Sequence, residues 1–153
     1  GKCGAADRPW SSASLRRRLF GALGEDSQLT LEEVQVPAGQ KLRVVTISDV
    51  HYDYPQNRKW LQERFVGERQ DCFDVLVLAG DVSDDLVRLR EALELFSAAF
   101  SLVCFTPGNH DLWVARQGSP PDSLAKLRAL HEVCTTLDVR MQPVLLKQAK
   151  AGG

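Results

Sequence analysis

The chain has 153 residues, of which 44% are hydrophobic and 25% charged, and its formal net charge is -1. This composition is typical of one globular domain, and the balanced charge gives no nucleic-acid footprint. The longest apolar runs have the length of a strand, well short of the roughly 20 residues that a membrane-spanning helix needs, so no membrane span is predicted.

The N-terminal segment is basic and precedes the predicted domain. Residues 1–38 are predicted to be an extension with an exposed basic helix at 13–23, which includes three consecutive arginines at 16–18. An Arg- and Ser-rich, acid-poor segment also resembles the end of a transit peptide for the chloroplast or another organelle, so both interpretations stay open. Because the chain begins with Gly1, we expect a fragment or a processed product.

The four cysteines, at positions 3, 72, 104 and 134, contain no CxxC pair, which excludes a zinc ribbon and a thioredoxin-like motif. Cys104 lies in an apolar, strand-like run, and Cys134 lies on an apolar helical stripe. Buried free thiols are therefore predicted, as is usual in an intracellular, reducing compartment.

Apolar strands alternate with amphipathic helices along the chain. The predicted elements are strands at 29–36 and 42–48, a helix at 58–69, a strand at 74–79, a helix at 85–100, a strand at 101–106, a helix at 123–137 and a last strand within 139–146. The last two helices carry the apolar stripes Leu86, Leu89, Leu93, Phe96, Phe100 and Leu124, Leu127, Leu130, Cys134, Leu137. This order predicts an α/β fold with a buried parallel sheet that helices cover on both faces. The domain is predicted to span 39–147, with a flexible tail at 148–153.

Polar residues follow each of the three central strands. The loops read Asp49-Val50-His51, Gly80-Asp81-Val82-Ser83-Asp84 and Gly108-Asn109-His110-Asp111. Because functional groups in a parallel sheet collect beyond the carboxyl ends of the strands, we expect these loops to meet at one edge. Carboxylate, imidazole and amide oxygen together suit Mn²⁺, Fe or Zn²⁺.

The spacing within the loops predicts how a metal is held. Asp49 and His51 are two residues apart, so in extended backbone they point the same way and can chelate one ion. The two oxygens of Asp81 can bridge two ions, and Asn109 offers a neutral amide oxygen. Each motif alone also has an ordinary explanation: a surface pair, a turn, or a helix cap at residues 84 and 85. All three in order, each after an apolar strand, favour a metal site.

At these residues the sequence resembles the calcineurin-like metallophosphoesterase superfamily. The match runs from about Leu42 to Asp111, and Asp84 completes a GDxxD pattern. The resemblance implies the first, parallel-sheet half of an α/β sandwich that hydrolyses phosphate monoesters or diesters with two ions of Mn, Fe or Zn. Residues 108–144 look most like plant and algal members.

The resemblance also implies a role for each matching residue. Asp49 and His51 would bind the first metal, Asp81 would bridge both, and Asn109 would bind the second. His110 would not bind metal. It would face the substrate as a general acid or as a stabiliser of the charged transition state, with Asp111 orienting it.

The match stops before the second half of the family's site, which needs an isolated histidine and a Gly-His-x-His block. After His110 the sequence has only His131, which we expect on a helix surface. The chain is therefore predicted to be a truncated form of a longer enzyme, with an exposed sheet that makes it marginally stable or prone to aggregate. The alternative is a non-catalytic chain that binds metal weakly or binds a partner protein.

Overall fold

The computed structural model describes residues 31–65 and 72–149 of the chain. The elements are β1 (Glu32–Val36), β2 (Lys41–Ile47), α1 (Pro55–Arg64), β3 (Cys72–Ala79), α2 (Leu86–Ala99), β4 (Leu102–Thr106), a 3₁₀ helix (His110–Leu112), α3 (Ser123–Thr136) and β5 (Val144–Gln148). This is the predicted order, and the predicted basic helix at 13–23 lies outside the described residues. None of the described helices has the length and hydropathy needed to cross a bilayer.

The strands β2, β3 and β4 form a parallel sheet in that order. Ile47 at the end of β2 pairs with Leu78, which pairs in turn with Phe105 in β4, so the carboxyl ends of all three strands reach the same edge. A single parallel bridge from Cys104 to Arg140 extends the ladder beyond β4. The predicted α/β class with a parallel sheet is confirmed.

The core lies on one face of this sheet. It contains Val45, Ile47, Leu76, Leu78, Val103 and Phe105 from the strands together with Leu61 of α1, Leu89, Leu93 and Phe96 of α2, and Leu130 and Cys134 of α3. On the opposite face Val75 and Leu102 are buried, but Leu42 and Val44 are 45% and 54% exposed.

Two expectations are corrected by this arrangement. Helices do not cover both faces among the described residues, because all three pack into one cluster. The strand near residues 42–48 is not buried either, because β2 is the edge strand of its sheet and pairs with β3 alone.

Helix α2 follows the predicted apolar stripe. Leu89, Leu93 and Phe96 are buried, and Asp85 is the N-cap, since its side chain accepts hydrogen bonds from the backbone N–H groups of Val87 and Arg88. The structure thus assigns the capping role to residue 85 and leaves residue 84 to other contacts.

Helix α3 departs from its predicted stripe in the first turn. Leu124 is 66% exposed, whereas the side chain of Lys126 is fully buried. Asp122 caps the helix by accepting from the N–H of Ala125 at 2.7 Å, and the apolar contact begins only a turn later, at Leu130. The first turn lies beyond the core, and the inward position there is filled by a lysine with backbone partners described below.

The three described cysteines, Cys72, Cys104 and Cys134, form no disulfide bonds. Cys134 is buried as predicted, whereas Cys104 is only partly buried. Burial, with a smaller contribution from the charge of Asp111, raises the pKa of the Cys134 thiol to about 12. This thiol is a packing residue rather than a reactive one.

The described residues form two compact units. Residues 36–141 with 148 and 149 contain the parallel sheet and the helices. Residues 31–35 and 142–147 belong to the other unit, where β1 and β5 form a two-stranded sheet and Lys147 contacts Glu33 at 2.6 Å. Because β5 runs to Gln148, the predicted tail at 148–153 starts too early. The predicted domain limits stay a prediction.

Candidate metal centre

The loops after β2 and β3 meet at the carboxyl edge of the sheet, as predicted. The N–H of Asp49 donates to the carbonyl of Gly80 at 3.2 Å, and the N–H of His51 donates to the carbonyl of Asp81 at 3.0 Å. These bonds continue the pairing of the two strands past their ends. They fix Asp49 and His51 beside Asp81 before any ligand contributes.

Three of these residues adopt left-handed backbone conformations. The φ angles are 53° at Asp49, 45° at His51 and 56° at Asp81, and the only other described non-glycine residue with positive φ is Asp138. The expected extended geometry of the Asp-x-His pair is therefore wrong, and left-handed turns on either side of the buried Val50 bring the two side chains together. Asp and His tolerate this region better than most residues, but it costs conformational energy, and such strain concentrates at functional sites.

Two glycines allow the loops after β3 and β4 to approach each other. A Cβ on Gly80 would lie 2.7 Å from the backbone nitrogen of Gly108, and a Cβ on Gly108 would lie 2.2 Å from Oδ1 of Asp81. Gly80 also has a φ of 76°. The close approach places the N–H of His110 3.0 Å from Oδ1 of Asp81, which accepts its hydrogen bond.

Asp111 is fully buried and binds backbone rather than a side chain. Its Oδ1 accepts the N–H groups of Val82 and Ser83 at 2.8 and 3.0 Å, and its Oδ2 accepts those of Asp81 and Gly108 at 2.8 Å each. The expectation that Asp111 orients His110 is therefore wrong, because its oxygens are used by the loops and Nδ1 of His110 has no hydrogen-bond partner. The residue instead ties the loop after β4 to the loop after β3.

The first group of possible ligands is Asp49, His51 and Asp81. One ligand atom from each lies within 4.8 Å of the others. Ligand atoms of a single ion stand at most about 4.2 Å apart, twice a bond of about 2.1 Å, so side chains grouped this closely are suitably placed to share an ion. Asn109 lies in the adjoining loop with an exposed side chain, and its assignment as a ligand stays a prediction.

A second group consists of Asp53, Asp84 and His110, again within 4.8 Å of one another. Asp84 and His110 were expected near the site, but Asp53 was not. Its signal in the sequence was the alternation Asp49-Val50-His51-Tyr52-Asp53, which continues the Asp-x-His pattern by one more step. The carboxylates of Asp53 and Asp84, rather than Asp111, are the ones available to orient the His110 ring.

Buried polar atoms without a partner concentrate at this edge. Among the described residues these atoms are Nδ1 of His51, Oδ2 of Asp53 and Nδ1 of His110, and all three belong to the two groups. Buried polar groups are almost always hydrogen-bonded or bound to an ion. The donor set of imidazole and carboxylate therefore fits bound metal ions.

The rings of the two site histidines lie close together. Their centroids are 4.9 Å apart in an edge-on arrangement. Each also has an exposed aromatic neighbour: Tyr54 lies 6.1 Å from His51, and Trp113 lies 3.9 Å from His110 with the planes tilted by 37°. Contact with Trp113 limits the rotation of the His110 ring.

Two basic residues connect the loops behind His110. Arg116 donates from Nε to Asp84 at 2.6 Å and from a terminal nitrogen to Asp53 at 3.1 Å. Burial acts to lower the pKa of Arg116, but the hydrogen bond and charge of Asp84 and the charge of Asp53 outweigh it, so the pKa is raised. The buried ammonium of Lys126 donates to the carbonyls of Asp84 and Trp113, and burial lowers its pKa.

His131 is exposed on α3, as predicted, and belongs to neither group of possible ligands. Within the described residues the centre is thus formed by the loops after β2, β3 and β4 alone.

The calcineurin-like phosphoesterase family model matches residues 42–141, so the chain belongs to this family. The matched segment contains every residue of the two groups of possible metal ligands. Among relatives, the chain is similar to an [acyl-carrier-protein] phosphodiesterase, PptH, of Mycobacterium tuberculosis, with 29% identity over 83 residues, which are 54% of this chain and 25% of the relative.

The fold is also similar to that of a solved structure. The crystal structure of phosphopantetheinyl hydrolase (PptH) from Mycobacterium tuberculosis matches with a TM-score of 0.52 and 25% identity over 71% of this chain. The match covers 36% of that solved chain, so this chain spans well under half the length of the proteins it resembles. The likeness to plant and algal members stays a prediction.

Proposed function

We propose that this chain supplies Asp49, His51, Asp81 and Asn109 to a two-metal site that hydrolyses phosphate esters. The observation that carries the proposal is the convergence of the first three, whose ligand atoms lie within 4.8 Å of one another at the end of a parallel sheet. Membership of the calcineurin-like phosphoesterase family supports the same reaction.

Each loop has a distinct task in this reaction. Bound ions of Mn, Fe or Zn would supply Lewis acidity at phosphorus and a nucleophile derived from water. His110 lies beside His51 and can donate a proton to the leaving oxygen of the ester. Asp53 and Asp84 lie beside the His110 ring, and Asp111 holds the backbone that carries Asp81.

The substrate class to test first is a phosphodiester. The similar protein from Mycobacterium tuberculosis is named a phosphodiesterase, although the likeness covers a quarter of it. We therefore expect a model diester such as bis(p-nitrophenyl) phosphate to be cleaved in preference to a monoester. The proposal includes a metal pair drawn from Mn, Fe and Zn, and a location in the chloroplast or another organelle, which the basic, acid-poor N-terminal segment suggests.

The first experiment is metal stoichiometry by elemental analysis of the purified chain after incubation with Mn²⁺. The chain offers a matched pair of variants, Asp81→Asn and Asp138→Asn, because both aspartates have positive φ and only Asp81 lies at the site. We expect bound manganese in the wild type and in Asp138→Asn, and a loss of most of it in Asp81→Asn.

Two results would contradict the proposal. Equal manganese in the two variants would remove Asp81 from the ligand set. A wild-type chain without bound metal, and without hydrolysis of the diester, would favour the alternative of a non-catalytic chain that binds a partner protein.

A further inference from the structure

A cavity of about 240 Å³ lies between the end of β2 and helix α1, directly beside the candidate metal centre. Asp49 forms one wall of this cavity and also belongs to the first group of possible ligands. A phosphate held at the metals would therefore have this cavity within reach of one of its substituents.

The walls of the cavity combine apolar residues with the polar residues Ser48, Asp49 and Asn57. Ile47, Trp60 and Leu61 line it, and Leu61 is part of the buried core, which fixes the position of the helix. Asn57 also lines it, but its side-chain nitrogen donates to the carbonyls of Val50 and His51 at 3.0 and 3.3 Å. Asn57 thus holds the loop that carries the ligands, and the side chains of Ile47, Trp60 and Leu61 offer an apolar group its contact surface.

Trp60 is the residue that makes this cavity unusual. The side chain is 58% exposed, although its ring contacts Phe65 edge-on at 6.4 Å. A large aromatic side chain left in water beside a concave surface is typical of a binding site, because covering it releases hydrophobic free energy.

The size of the cavity limits what can enter it. An apolar cavity of roughly 150 Å³ is sufficient for benzene, so a space of about 240 Å³ accommodates a phenyl ring with its linking atoms.

We propose that this cavity, called here the Trp60 pocket, binds an apolar and preferably planar ester group of the substrate while the phosphate lies at the metals. The inference rests on the proposed function and deepens it, because it names the class of phosphate ester: one with an aryl or similarly flat apolar substituent. Trp60 is then a specificity-determining residue that lies outside the ligand set.

The test compares two phosphonates that cannot be hydrolysed, phenylphosphonate and methylphosphonate, in the presence of Mn²⁺. Both present the same anionic group to the metals, and only the first can fill the pocket. Burying the ring against an indole is expected to make phenylphosphonate bind about tenfold more tightly than methylphosphonate. Isothermal titration calorimetry on the full chain gives both dissociation constants.

Variants at Trp60 test whether this residue causes the preference for phenylphosphonate. Trp60→Ala is expected to equalise the two affinities, and Trp60→Phe to retain part of the difference. Leu124→Ala is the control, because Leu124 is a similarly exposed apolar residue on α3 that does not line the pocket, and it should retain the full difference. If Trp60→Ala does not fold, the wild-type comparison decides alone, supported by the shift of the Trp60 indole N–H signal in NMR spectra on adding phenylphosphonate.

The outcomes separate this inference from the function on which it rests. Equal binding of the two phosphonates by the wild-type chain overturns the Trp60 pocket and leaves the metal site standing. If neither phosphonate nor Mn²⁺ binds, the Trp60 pocket and the metal site are both overturned. A preference for phenylphosphonate that persists in Trp60→Ala also overturns the pocket, as does self-association of the chain that Trp60→Ala abolishes.

Discussion

Replacing Asp111 by asparagine should be the most destabilising conservative change at the candidate metal centre. The carboxylate accepts four backbone N–H groups, two on each oxygen, at 2.8 to 3.0 Å. An amide of the same shape keeps one accepting oxygen and turns an NH₂ group towards the other pair of donors. Two hydrogen bonds to a charged group are lost, and each is worth roughly 1.5 to 3 kcal/mol, so the free energy of unfolding should fall by roughly 3 to 6 kcal/mol.

This loss is large compared with the roughly 5 to 15 kcal/mol that stabilise a typical domain. Urea unfolding, followed by tryptophan fluorescence and far-ultraviolet circular dichroism in the presence of EDTA, measures it without a contribution from metal. Asp122→Asn is the matched control, because Asp122 accepts a single backbone N–H at the start of α3 and asparagine caps helices about as well. A loss below about 1 kcal/mol in Asp111→Asn would refute the view that this carboxylate holds the loops together.

Three further predictions concern catalysis, pH and association. In a longer protein that completes the site, His110→Ala should keep its manganese in elemental analysis while diester hydrolysis, measured as an initial rate, falls by roughly 10² to 10⁴. The thiol of Cys134 has a pKa of about 12 against an ordinary 9.0, so above pH 9.0 the unfolded chain loses this proton first. The free energy of unfolding should then fall by up to about 1.4 kcal/mol per pH unit from this group, and urea titrations should show a smaller slope in Cys134→Ala. Leu42→Thr combined with Val44→Thr should reduce light scattering by the purified chain, because both side chains are exposed on the open face of the sheet.

Each of these predictions has a contrary result. Loss of manganese in His110→Ala would make this histidine a ligand. An unchanged slope in Cys134→Ala would assign the alkaline instability to other groups. A wild-type chain that is monodisperse and unfolds cooperatively would contradict the expectation that the open face drives association.

The sequence was sufficient to place the three loops, because continuous apolar strands alternating with helices leave few arrangements other than a parallel sheet. The loops at Asp49, Asp81 and His110 follow from that arrangement, since the carboxyl ends of parallel strands share an edge. The backbone conformation inside the loops did not follow. The alternation of side chains between the two faces of a strand does not extend past Ile47. The residue types do not predict the left-handed turns at Asp49 and His51.

The sequence alone also does not predict contacts between side chains and groups that are far apart along the chain. Asp111 was assigned to its neighbour His110, yet its partners are backbone groups 28 to 30 residues earlier and at Gly108. The burial of Lys126 has no signal in the sequence, because a lysine is rarely buried. Its burial depends on two carbonyls from other loops that accept the ammonium, a condition that appears only once the chain is folded.

The contact between Gly80 and Gly108 has a consequence for surveys of related genes. Because the obstacle on each side is backbone or the carboxylate of Asp81, a larger residue at either position cannot be relieved by a change at the other. A homologue that retains every ligand but has lost one of these glycines should therefore be counted as inactive until its metal content is measured. Conversely, a paired Gly-Asp and Gly-Asn-His signature is a stricter search criterion than the ligands alone.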